Sequence, residues 1–331
     1  MIKKYKIKRF GVVFIIIAFL LGCCFIFYER TNSVDLVVAW VDGGDQEWRK
    51  KKLYWLSKNS LPQDINGVSK CRFADNDELK YLLRSVELYA PWIRKIFIVT
   101  DNQAPKWLNT NHPKIRIVDH KEIIPAKFLP TFNSTVIEAY LPFIPGLSEK
   151  FLYANDDTMF NTVLTKEFFY NKDGYPIVRM KYKLPDPPED LYAKTLNRVI
   201  NLVMDKYSVQ LEKRLPHHNI DAYLKSTFLK CRKEFKKEYE KCAGNRFRTE
   251  NDISRFLVSC YGIAIGKAVP KVVAPSESLI LIPNWDCEAL LAKRSPKLFC
   301  INDNENTTDI ERKNIKVFLE KRFPNKSRFE L

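Results

Sequence analysis

The sequence of 331 residues predicts an α/β protein with a mainly parallel sheet and helices on both faces. Two observations carry this prediction. Short apolar runs alternate along the first half of the chain with segments of helical periodicity, which is typical of βαβ units. The hydrophobic content of 46% is that of a globular protein with a core, so a disordered chain is excluded.

The first 28 residues are predicted to lie outside this fold as a membrane anchor. Residues 1–10 form a basic tail, and residues 11–28 are uncharged and just long enough to cross a bilayer as a helix. Basic residues in front of such a helix keep that end in the cytoplasm. We therefore expect a single-pass membrane protein with a cytoplasmic N-terminus. A faint lipoprotein cleavage box at Leu20–Cys23 is the alternative, but the bulky Leu21 disfavours it.

Four apolar runs predict the strands of the sheet, at residues 36–41, 95–102, 114–120 and 150–157. Helical patterns occupy residues 45–59 and 75–90. In the second of these, Leu79, Leu82, Leu83 and Val86 fall on one face, and Pro91 ends the helix. The alternation of strand and helix makes the strands parallel neighbours.

An acidic residue follows each of the four predicted strands. These residues are Asp42, Asp101, Asp119 and the pair Asp156–Asp157. Ligands of open α/β sheets bind outside the carboxyl ends of the strands, which meet at one edge of the sheet. The pattern predicts a crevice lined by carboxylates that hold a metal ion or sugar hydroxyls.

The second half of the chain is more basic. Residues 165–250 are predicted to form a basic helical subdomain over the crevice, with one amphipathic helix at 226–242. Further helices are predicted at 252–266 and 308–323, where Thr308 and Glu311 have the spacing of a capping box. The formal net charge of +16 favours an anionic partner, although a solvated lysine-rich surface explains it equally well. Six cysteines beyond residue 28 permit disulfides without defining their connectivity.

Two short segments carry groups suited to catalysis on phosphates. The stretch PHHNID contains His217, His218 and Asp221, and histidine is the side chain suited to proton transfer near neutral pH. A surface loop is the alternative role of this segment. Arg246 and Arg248 alternate in NRFRTENDIS, so both guanidinium groups are able to face one diphosphate.

Several enzyme classes are excluded by missing motifs. The chain has no G-x-x-x-x-G-K-[ST] or G-x-G-x-x-G segment, which excludes P-loop and dinucleotide-binding proteins, and it has no G-x-S-x-G nucleophile elbow. The reaction class that remains is a metal-assisted transfer from a phosphate-bearing sugar donor. No nucleic acid partner is expected.

Four blocks of the sequence resemble the Stealth proteins, a family of hexose-1-phosphate transferases. The first block is DLVVAWVDGGD. The second runs from RFADNDELK to NDDTMF, the third joins PHHNID to NRFRTENDIS, and the fourth is CINDN. The resemblance spans residues 35–331 and implies a Rossmann-like fold of the glycosyltransferase-A type. The sequence departs from the bacterial members of the family at Thr135 and at the pair Asn219–Ile220. These departures bear on the expected binding of the acceptor more than on that of the donor.

The resemblance also implies roles for individual residues. A histidine of PHHNID is the implied catalytic base, and His217 is preferred to His218 because it follows the proline. Asp42 and Asp157 are the other implied catalytic residues, and Asp156 and Asp157 are the implied ligands of a divalent metal ion, Mg²⁺ or Mn²⁺. The implied substrate-binding residues are Arg72, Asp77, Asn133, Ser134, Asn155, Arg246, Arg248 and Asp252.

The predicted activity is transfer of an intact sugar-1-phosphate from a nucleotide-diphosphate sugar, UDP-GlcNAc or similar, to a hydroxyl of a glycan or polysaccharide. UMP or GMP would leave. The alternatives are a conventional glycosyltransferase, which would release the nucleoside diphosphate, and a non-catalytic membrane protein that binds glycans or lipids. The expected location is a membrane, facing the Golgi lumen in a eukaryote or at the cell membrane of a bacterium.

Overall fold

The computed structural model describes residues 32–58 and 70–331. The strands in this part of the chain are β1 Val34–Ala39, β2 Ile96–Thr100, β3 Ile115–Asp119, β4 Lys150–Asn155, β5 Thr158–Phe160, β6 Ile177–Lys183, β7 Arg214–Pro216, β8 Asp221–Leu224, β9 Val269–Val272, β10 Ser278–Leu281 and β11 Leu298–Ile301.

The α-helices of the same residues are α1 Gln46–Lys58, α2 Glu78–Tyr89, α3 His120–Ile123, α4 Ser134–Ala139, α5 Leu191–Tyr207, α6 Lys225–Glu234, α7 Lys236–Ala243, α8 Phe256–Ala264, α9 Cys287–Arg294 and α10 Asp309–Arg322. Short 3₁₀ turns lie at Lys70–Phe73, Ala126–Phe128, Leu141–Phe143 and Lys166–Phe168.

The central sheet has the strand order β3-β2-β1-β4-β8. β1 pairs in parallel with both β2 and β4, β2 pairs in parallel with β3, and only β8 runs antiparallel, against β4. The predicted α/β class with a mainly parallel sheet is confirmed. The chain leaves β1 for β2 on one side and returns as β4 on the other, so the strand order reverses beside β1. Such a reversal opens a crevice at the carboxyl ends of the two strands.

Both faces of the central sheet are covered, because successive side chains of each strand point to opposite sides. Val37 and Phe151 face one core, which α4, α5 and α8 close, and Val38 and Leu152 face the other, which α2 closes through Leu82. All five side chains are fully buried. Truncation of one such residue to Ala typically costs about 2–5 kcal/mol, so the two cores hold the strand ends in place.

Two smaller sheets flank the central one. β4 turns directly into β5, which joins the order β10-β11-β5, and β6 lies between β7 and β9 in the second small sheet. Cys300 of β11 pairs with Thr158 of β5. This register carries the last strand of the chain to the turn between β4 and β5.

The C-terminus is tied into the fold by a buried arginine. Arg84 of α2 binds the Glu330 carboxylate with two nitrogens, each at 2.9 Å, and donates to the Phe323 carbonyl at 2.6 Å. The Leu331 amide donates to the Trp107 carbonyl at 2.8 Å. The last residues are therefore part of the core structure.

Some predicted elements need correction. The single helix predicted at 226–242 is two helices, α6 and α7, because the backbone turns at Phe235 to bury that ring. Residues 165–250 contribute strands as well as helices, and one of them, β8, belongs to the central sheet. The capping box of Thr308 and Glu311 is confirmed at the start of α10. None of the six cysteines from Cys71 to Cys300 forms a disulfide bond within the described residues.

The predicted membrane location is also corrected. Among residues 32–58 and 70–331, no helix combines the length and the apolar composition that a bilayer crossing requires. The segment that was predicted to cross, residues 11–28, lies outside the described residues.

Candidate active site

The turn after β1 places Asp42 at the sheet reversal. The Asp42 backbone amide donates to the Gln103 side chain at 3.1 Å, and the Asp42 carbonyl accepts from it at 3.0 Å. The Asp42 carboxylate accepts from the Gly44 amide at 2.7 Å. A Cβ atom at Gly43 would lie 2.0 Å from the Phe73 carbonyl oxygen, so only glycine fits there.

The turn between β4 and β5 carries Asn155, Asp156 and Asp157. The Thr158 hydroxyl donates to the Asn155 carbonyl at 2.7 Å, and the Ile301 amide donates to the Asp157 carbonyl at 2.9 Å. Oδ2 of Asp157 accepts from the Cys300 thiol at 3.3 Å. Oδ1 of Asp157 is buried and has no hydrogen-bond partner in the described structure. These contacts hold the turn in place, and one carboxylate oxygen is left without a protein partner in the described residues.

Further acids surround this turn. Burial, followed by the charges of Asp157, Glu78 and Asp75, raises the pKa of Asp156 well above its usual range. Burial also raises the pKa of Asp157 to about 6 and that of Glu78 to about 7. Burial raises the pKa of Asp75 too, and the charge of Asp42 contributes to this shift. Like charges this close disfavour their own ionised forms, so the cluster is suited to a cation.

The two histidines of PHHNID have different surroundings. His217 is fully buried, with Nδ1 3.0 Å from the Ser278 hydroxyl and Nε2 3.0 Å from Oδ1 of Asp221. His218 has φ = 49°, and a nitrogen of its ring lies within 4.8 Å of an Asp157 carboxylate oxygen and of the Cys300 sulfur. No described residue hydrogen-bonds to the His218 ring. Burial lowers the pKa of His218 to about 4, which keeps the imidazole neutral.

A chain of buried polar contacts starts at His217. Asp221 binds His217 through Oδ1 and the Arg255 guanidinium through Oδ2, at 3.0 Å in each case. Burial alone would raise the pKa of Asp221, but the His217 hydrogen bond and the Arg255 charge lower it to about 2. Arg255 also pairs with Glu138 of α4 at 3.3 Å and lies over the Tyr153 ring.

The contact chain ends at the β4–β5 turn. The Tyr153 hydroxyl lies 3.3 Å from Oε1 of Glu138 and 3.0 Å from Oδ1 of Asn155. The segment that holds the histidines and the turn that holds the acids are thus connected through protein contacts alone. Positive and negative groups alternate along this series of contacts, and their pairing offsets the free-energy cost of burying each charge.

The two predicted phosphate-binding arginines lie side by side on one loop. Arg246 donates to the Pro130 carbonyl at 2.5 Å and stacks 3.9 Å from the Trp55 ring centroid, and Arg248 donates to the Ser134 hydroxyl at 2.6 Å. Both arginines are half-buried. Phe247, between the two arginines, is buried and stacks on the Phe132 ring. That both guanidinium groups face one diphosphate stays a prediction.

Helix α4 connects the arginine loop to the buried contact chain. Ser134, which binds Arg248, and Glu138, which binds Arg255, are four residues apart and so lie on one face of the helix. Their separation on that face is one helical turn, about 5–6 Å between Cβ atoms. Arg248 and the Arg255–Glu138 pair are therefore bound to neighbouring turns of the same helix.

Asn133 and Asp252 hold the arginine loop from behind. Nδ2 of Asn133 donates to Asp252 at 2.7 Å and to the Phe247 carbonyl at 3.2 Å, and Asp252 also accepts from Asn245 at 2.7 Å. Oδ1 of Asn133 caps α4. Both side chains are at most 1% exposed, so they position the loop and are turned away from the surface of the site.

The remaining predicted substrate residues lie at the start of α2. Arg72 is exposed on the 3₁₀ turn, and Asp77 adopts φ = 67° at the N-cap of α2. The Asp77 carboxylate pairs with Lys80 at 3.5 Å and Lys316 at 2.5 Å, which partly neutralises it. This end of α2 also carries Glu78 of the acid cluster.

Two of the predicted strand-end acids have protein partners of their own. Asp119 accepts from the Lys121 amide and forms a capping box with Glu122, so it caps α3. It also ends β3, which is separated from β4 by two strands, or about 14 Å at the usual strand spacing. Asp101 pairs with Lys51 of α1. Asp119 is thus used as a helix cap, and Asp101 as the partner of a lysine on another helix.

Five residues of the site were missed or undervalued by sequence reasoning: Asp75, Glu78, Glu138, Arg255 and Cys300. Each lies within or beside a block that carries the family resemblance, which was the available signal. Their spacing in sequence gives no periodic pattern, because the structure assembles them from α2 and the segment before it, α4, the N-cap of α8 and β11.

Family models match two regions of the chain. The model described as Stealth protein CR2, conserved region 2, matches residues 72–178, and that described as Stealth protein CR4, conserved region 4, matches residues 288–331. The first region contains α2 and the β4–β5 turn, and the second contains β11 and the C-terminus.

Several relatives match most of the chain. A capsular polysaccharide phosphotransferase of Streptococcus pneumoniae, WcwK, is 30% identical over 90% of this chain and 99% of its own length. The capsular polysaccharide phosphotransferase fcs1 of Haemophilus influenzae is 36% identical over 86% of this chain and 82% of its own. The exopolysaccharide phosphotransferase cps2G of Lactiplantibacillus plantarum is 32% identical over 90% of this chain and 96% of its own length.

Among solved structures, the galactosyltransferase LgtC in complex with donor and acceptor sugar analogues superposes with a TM-score of 0.42 and 9% identity. The match covers 89% of this chain and 98% of that one. This likeness is too low to carry a functional argument.

Proposed function

The chain belongs to the Stealth protein family, as its sequence predicted, and from this membership and the site geometry we propose a specific phosphotransferase reaction. The proposed substrate is a nucleotide-diphosphate sugar, and its sugar-1-phosphate moves intact to a hydroxyl of a polysaccharide. The observation that carries the proposal is the meeting of the Asp156–Asp157 turn and the His218 ring at the sheet reversal, where no described residue hydrogen-bonds to that ring.

The proposed reaction is a displacement at the sugar-proximal phosphorus. The acceptor oxygen forms a bond to that phosphorus, the bond to the bridging oxygen of the diphosphate breaks, and a nucleoside monophosphate leaves with the electron pair. The acceptor proton passes to a neutral ring nitrogen of His218. Within the described residues this nitrogen has no competing protein hydrogen bond, whereas both nitrogens of His217 are engaged. We therefore assign the base role to His218 in place of the preferred His217.

Arg246 and Arg248 are proposed to bind the phosphates of the donor. Their guanidinium groups carry fixed charge, and the stacking on Trp55 and the hydrogen bond to Ser134 hold them in place before the donor arrives. Preorganised donors of this kind stabilise the charge that develops on the transferred group. Asn133 and Asp252 support them indirectly.

A divalent cation, Mg²⁺ or Mn²⁺, completes the proposal. Asp156 and Asp157 would hold it, because carboxylate oxygens suit hard cations and Oδ1 of Asp157 is buried without a partner. The mutual repulsion within the acid cluster supports the same conclusion. When bound, such an ion supplies positive charge that neutralises the donor diphosphate. Asp42 and Asn155 line the same edge of the sheet.

The products of the reaction test the proposal. The full chain is incubated with Mg²⁺ or Mn²⁺, an oligosaccharide acceptor and UDP-GlcNAc that is labelled with ³²P at the sugar-proximal phosphorus. We expect label in the acceptor and UMP in solution, and loss of both with Asp156→Asn. GDP-mannose is tested in parallel, since the base and sugar of the donor are open. Unlabelled, glycosylated acceptor with release of UDP would identify an ordinary glycosyltransferase and reject the proposal.

A further inference from the structure

Three different metal-binding side chains meet beside the β4–β5 turn. They are Asp157 on the turn, His218 on the segment between β7 and β8, and Cys300 on β11, and their ligand atoms all lie within 4.8 Å of one another. Each comes from a different part of the chain. Their meeting is therefore produced by tertiary structure, and a local turn does not explain it.

The spacing of these atoms is close to that of a tetrahedral zinc site. Zinc bonds of about 2.0–2.3 Å to oxygen, nitrogen and sulfur place neighbouring ligand atoms about 3.3–3.7 Å apart. The Cys300 sulfur and Oδ2 of Asp157 are already 3.3 Å apart. The ligand atoms all lie within 4.8 Å of one another, so zinc geometry requires movements of no more than roughly 1–1.5 Å.

Two of the three ligands are free to accept an ion. In the described chain the His218 ring has no hydrogen-bond partner that binding would displace. Oδ1 of Asp157 is buried and unpaired, so an ion at this carboxylate also satisfies an oxygen that the protein leaves without a partner. The Cys300 thiol would give up its proton to solvent when it binds the ion.

The chemistry of the ligands selects the ion. A thiolate and an imidazole favour Zn²⁺ and similar thiophilic ions, whereas Mg²⁺ is held by oxygen. We propose that Asp157, His218 and Cys300 form a binding site for one thiophilic divalent cation such as Zn²⁺, and that its occupancy stops the transfer reaction. Inhibition follows because the ion engages the His218 ring and the Asp157 carboxylate together. The inhibitory effect rests on the proposed function, but the binding site does not.

Cobalt binding tests the site without any enzyme assay. The full chain is stripped with a chelator and titrated with Co²⁺, which reports a bound thiolate by a charge-transfer band in the near ultraviolet. We expect one equivalent of Co²⁺ to produce the band and Zn²⁺ to displace it. Cys300→Ser should remove the band and weaken Zn²⁺ binding by at least about 100-fold, since even changes to outer partners of metal ligands cost about 10–100-fold.

Cys287→Ser is the matched control. Cys287 is also a buried free thiol, but it lies in α9 and its sulfur faces the Ile282 carbonyl. This variant should keep both the band and the Zn²⁺ affinity. Should Cys300→Ser fail to fold by thermal melting, His218→Asn provides the second test, with the thiolate band retained and Zn²⁺ affinity again reduced.

The alternatives are distinguishable. A band that persists in Cys300→Ser, Co²⁺ bound without a band, or Zn²⁺ affinity unchanged in both site variants would overturn the site. For the activity, we expect release of nucleoside monophosphate to fall in proportion to Zn²⁺ occupancy, at fixed excess Mg²⁺. Full activity at full occupancy would overturn the inhibitory role. Absence of nucleoside monophosphate even in metal-stripped enzyme with Mg²⁺ would refute the proposed function and leave the binding result standing.

Discussion

Replacing each of the two adjacent histidines by Asn separates a chemical role from a structural one. Asn is the matched substitute, because it tolerates the left-handed conformation of residue 218 and is too short to bridge Ser278 and Asp221 from residue 217. We expect His218→Asn to impair the reaction and His217→Asn to impair the fold.

The expected magnitudes follow from the contacts of each ring. His218 loses no hydrogen bond to the described protein, so the free energy of unfolding should change by less than about 0.5 kcal/mol. Loss of a general base typically slows a reaction about 10²–10⁴-fold, which is about 3–5 kcal/mol in activation free energy. His217→Asn leaves the buried Ser278 hydroxyl and Asp221 carboxylate each short of one partner, at a cost of roughly 2–4 kcal/mol in stability.

Two measurements on the same preparations decide the matter. Urea unfolding gives the stability of each variant, and release of nucleoside monophosphate at saturating donor gives kcat per folded molecule. The reasoning is refuted if His218→Asn keeps the wild-type kcat while His217→Asn remains stable and loses activity. That result would restore the base role to His217 and require its ring to leave the buried position.

Three other perturbations test the frame around the site. Gly43→Ala should abolish activity and lower the melting temperature, because the added Cβ would meet the Phe73 carbonyl at 2.0 Å; wild-type activity would show that the turn is able to shift. Arg84→Met should lower the free energy of unfolding by about 3–5 kcal/mol, measured by urea unfolding, because the buried Glu330 carboxylate loses the cation that it pairs with and keeps only hydrogen bonds from Ser327; a loss under 1 kcal/mol would contradict this. Burial lowers the pKa of His120 to about 4 from an ordinary 6.5, so its contribution to stability is complete above pH 6.5 and is lost as pH falls toward 4. The stability advantage of wild type over His120→Gln should therefore shrink by about 2–3 kcal/mol between pH 7 and pH 4.5, and a constant difference would refute it.

The central sheet was predictable because its determinants are local. Strands buried on both faces read as continuous apolar runs, so β1, β2, β3 and β4 were found within about two residues of their ends. The break between α6 and α7 was not predictable, because the basic pattern continues through it. Phe235 interrupts the helix to reach a core that forms only when distant segments pack.

The roles of the acidic residues that follow the strands could not be predicted from local sequence. An acidic residue after a strand either caps the next helix or lines a ligand site, and the sequence does not distinguish the two roles. Asp119 finds its partner in the next turn of its own chain, as a helix cap. Asp157 has no such local partner, and its neighbours Cys300 and His218 are more than 60 residues away in sequence. Position in the sheet separates the two cases, since β3 is at the edge and β4 lies beside the reversal.

Tertiary contacts also determine which of the two adjacent histidines is buried and which lies beside Asp157. His217 is held inside by Ser278, which lies 61 residues further along the chain, and by Asp221, which Arg255 of a later segment holds in turn. Once that ring is fixed, the left-handed conformation of residue 218 directs the second ring to Asp157 and Cys300. The preceding proline carries no information about either contact. Burial of His217 thus leaves the His218 ring available for the proposed chemistry, and a change at Ser278 or Asp221 should act on the site through the direction of the two rings.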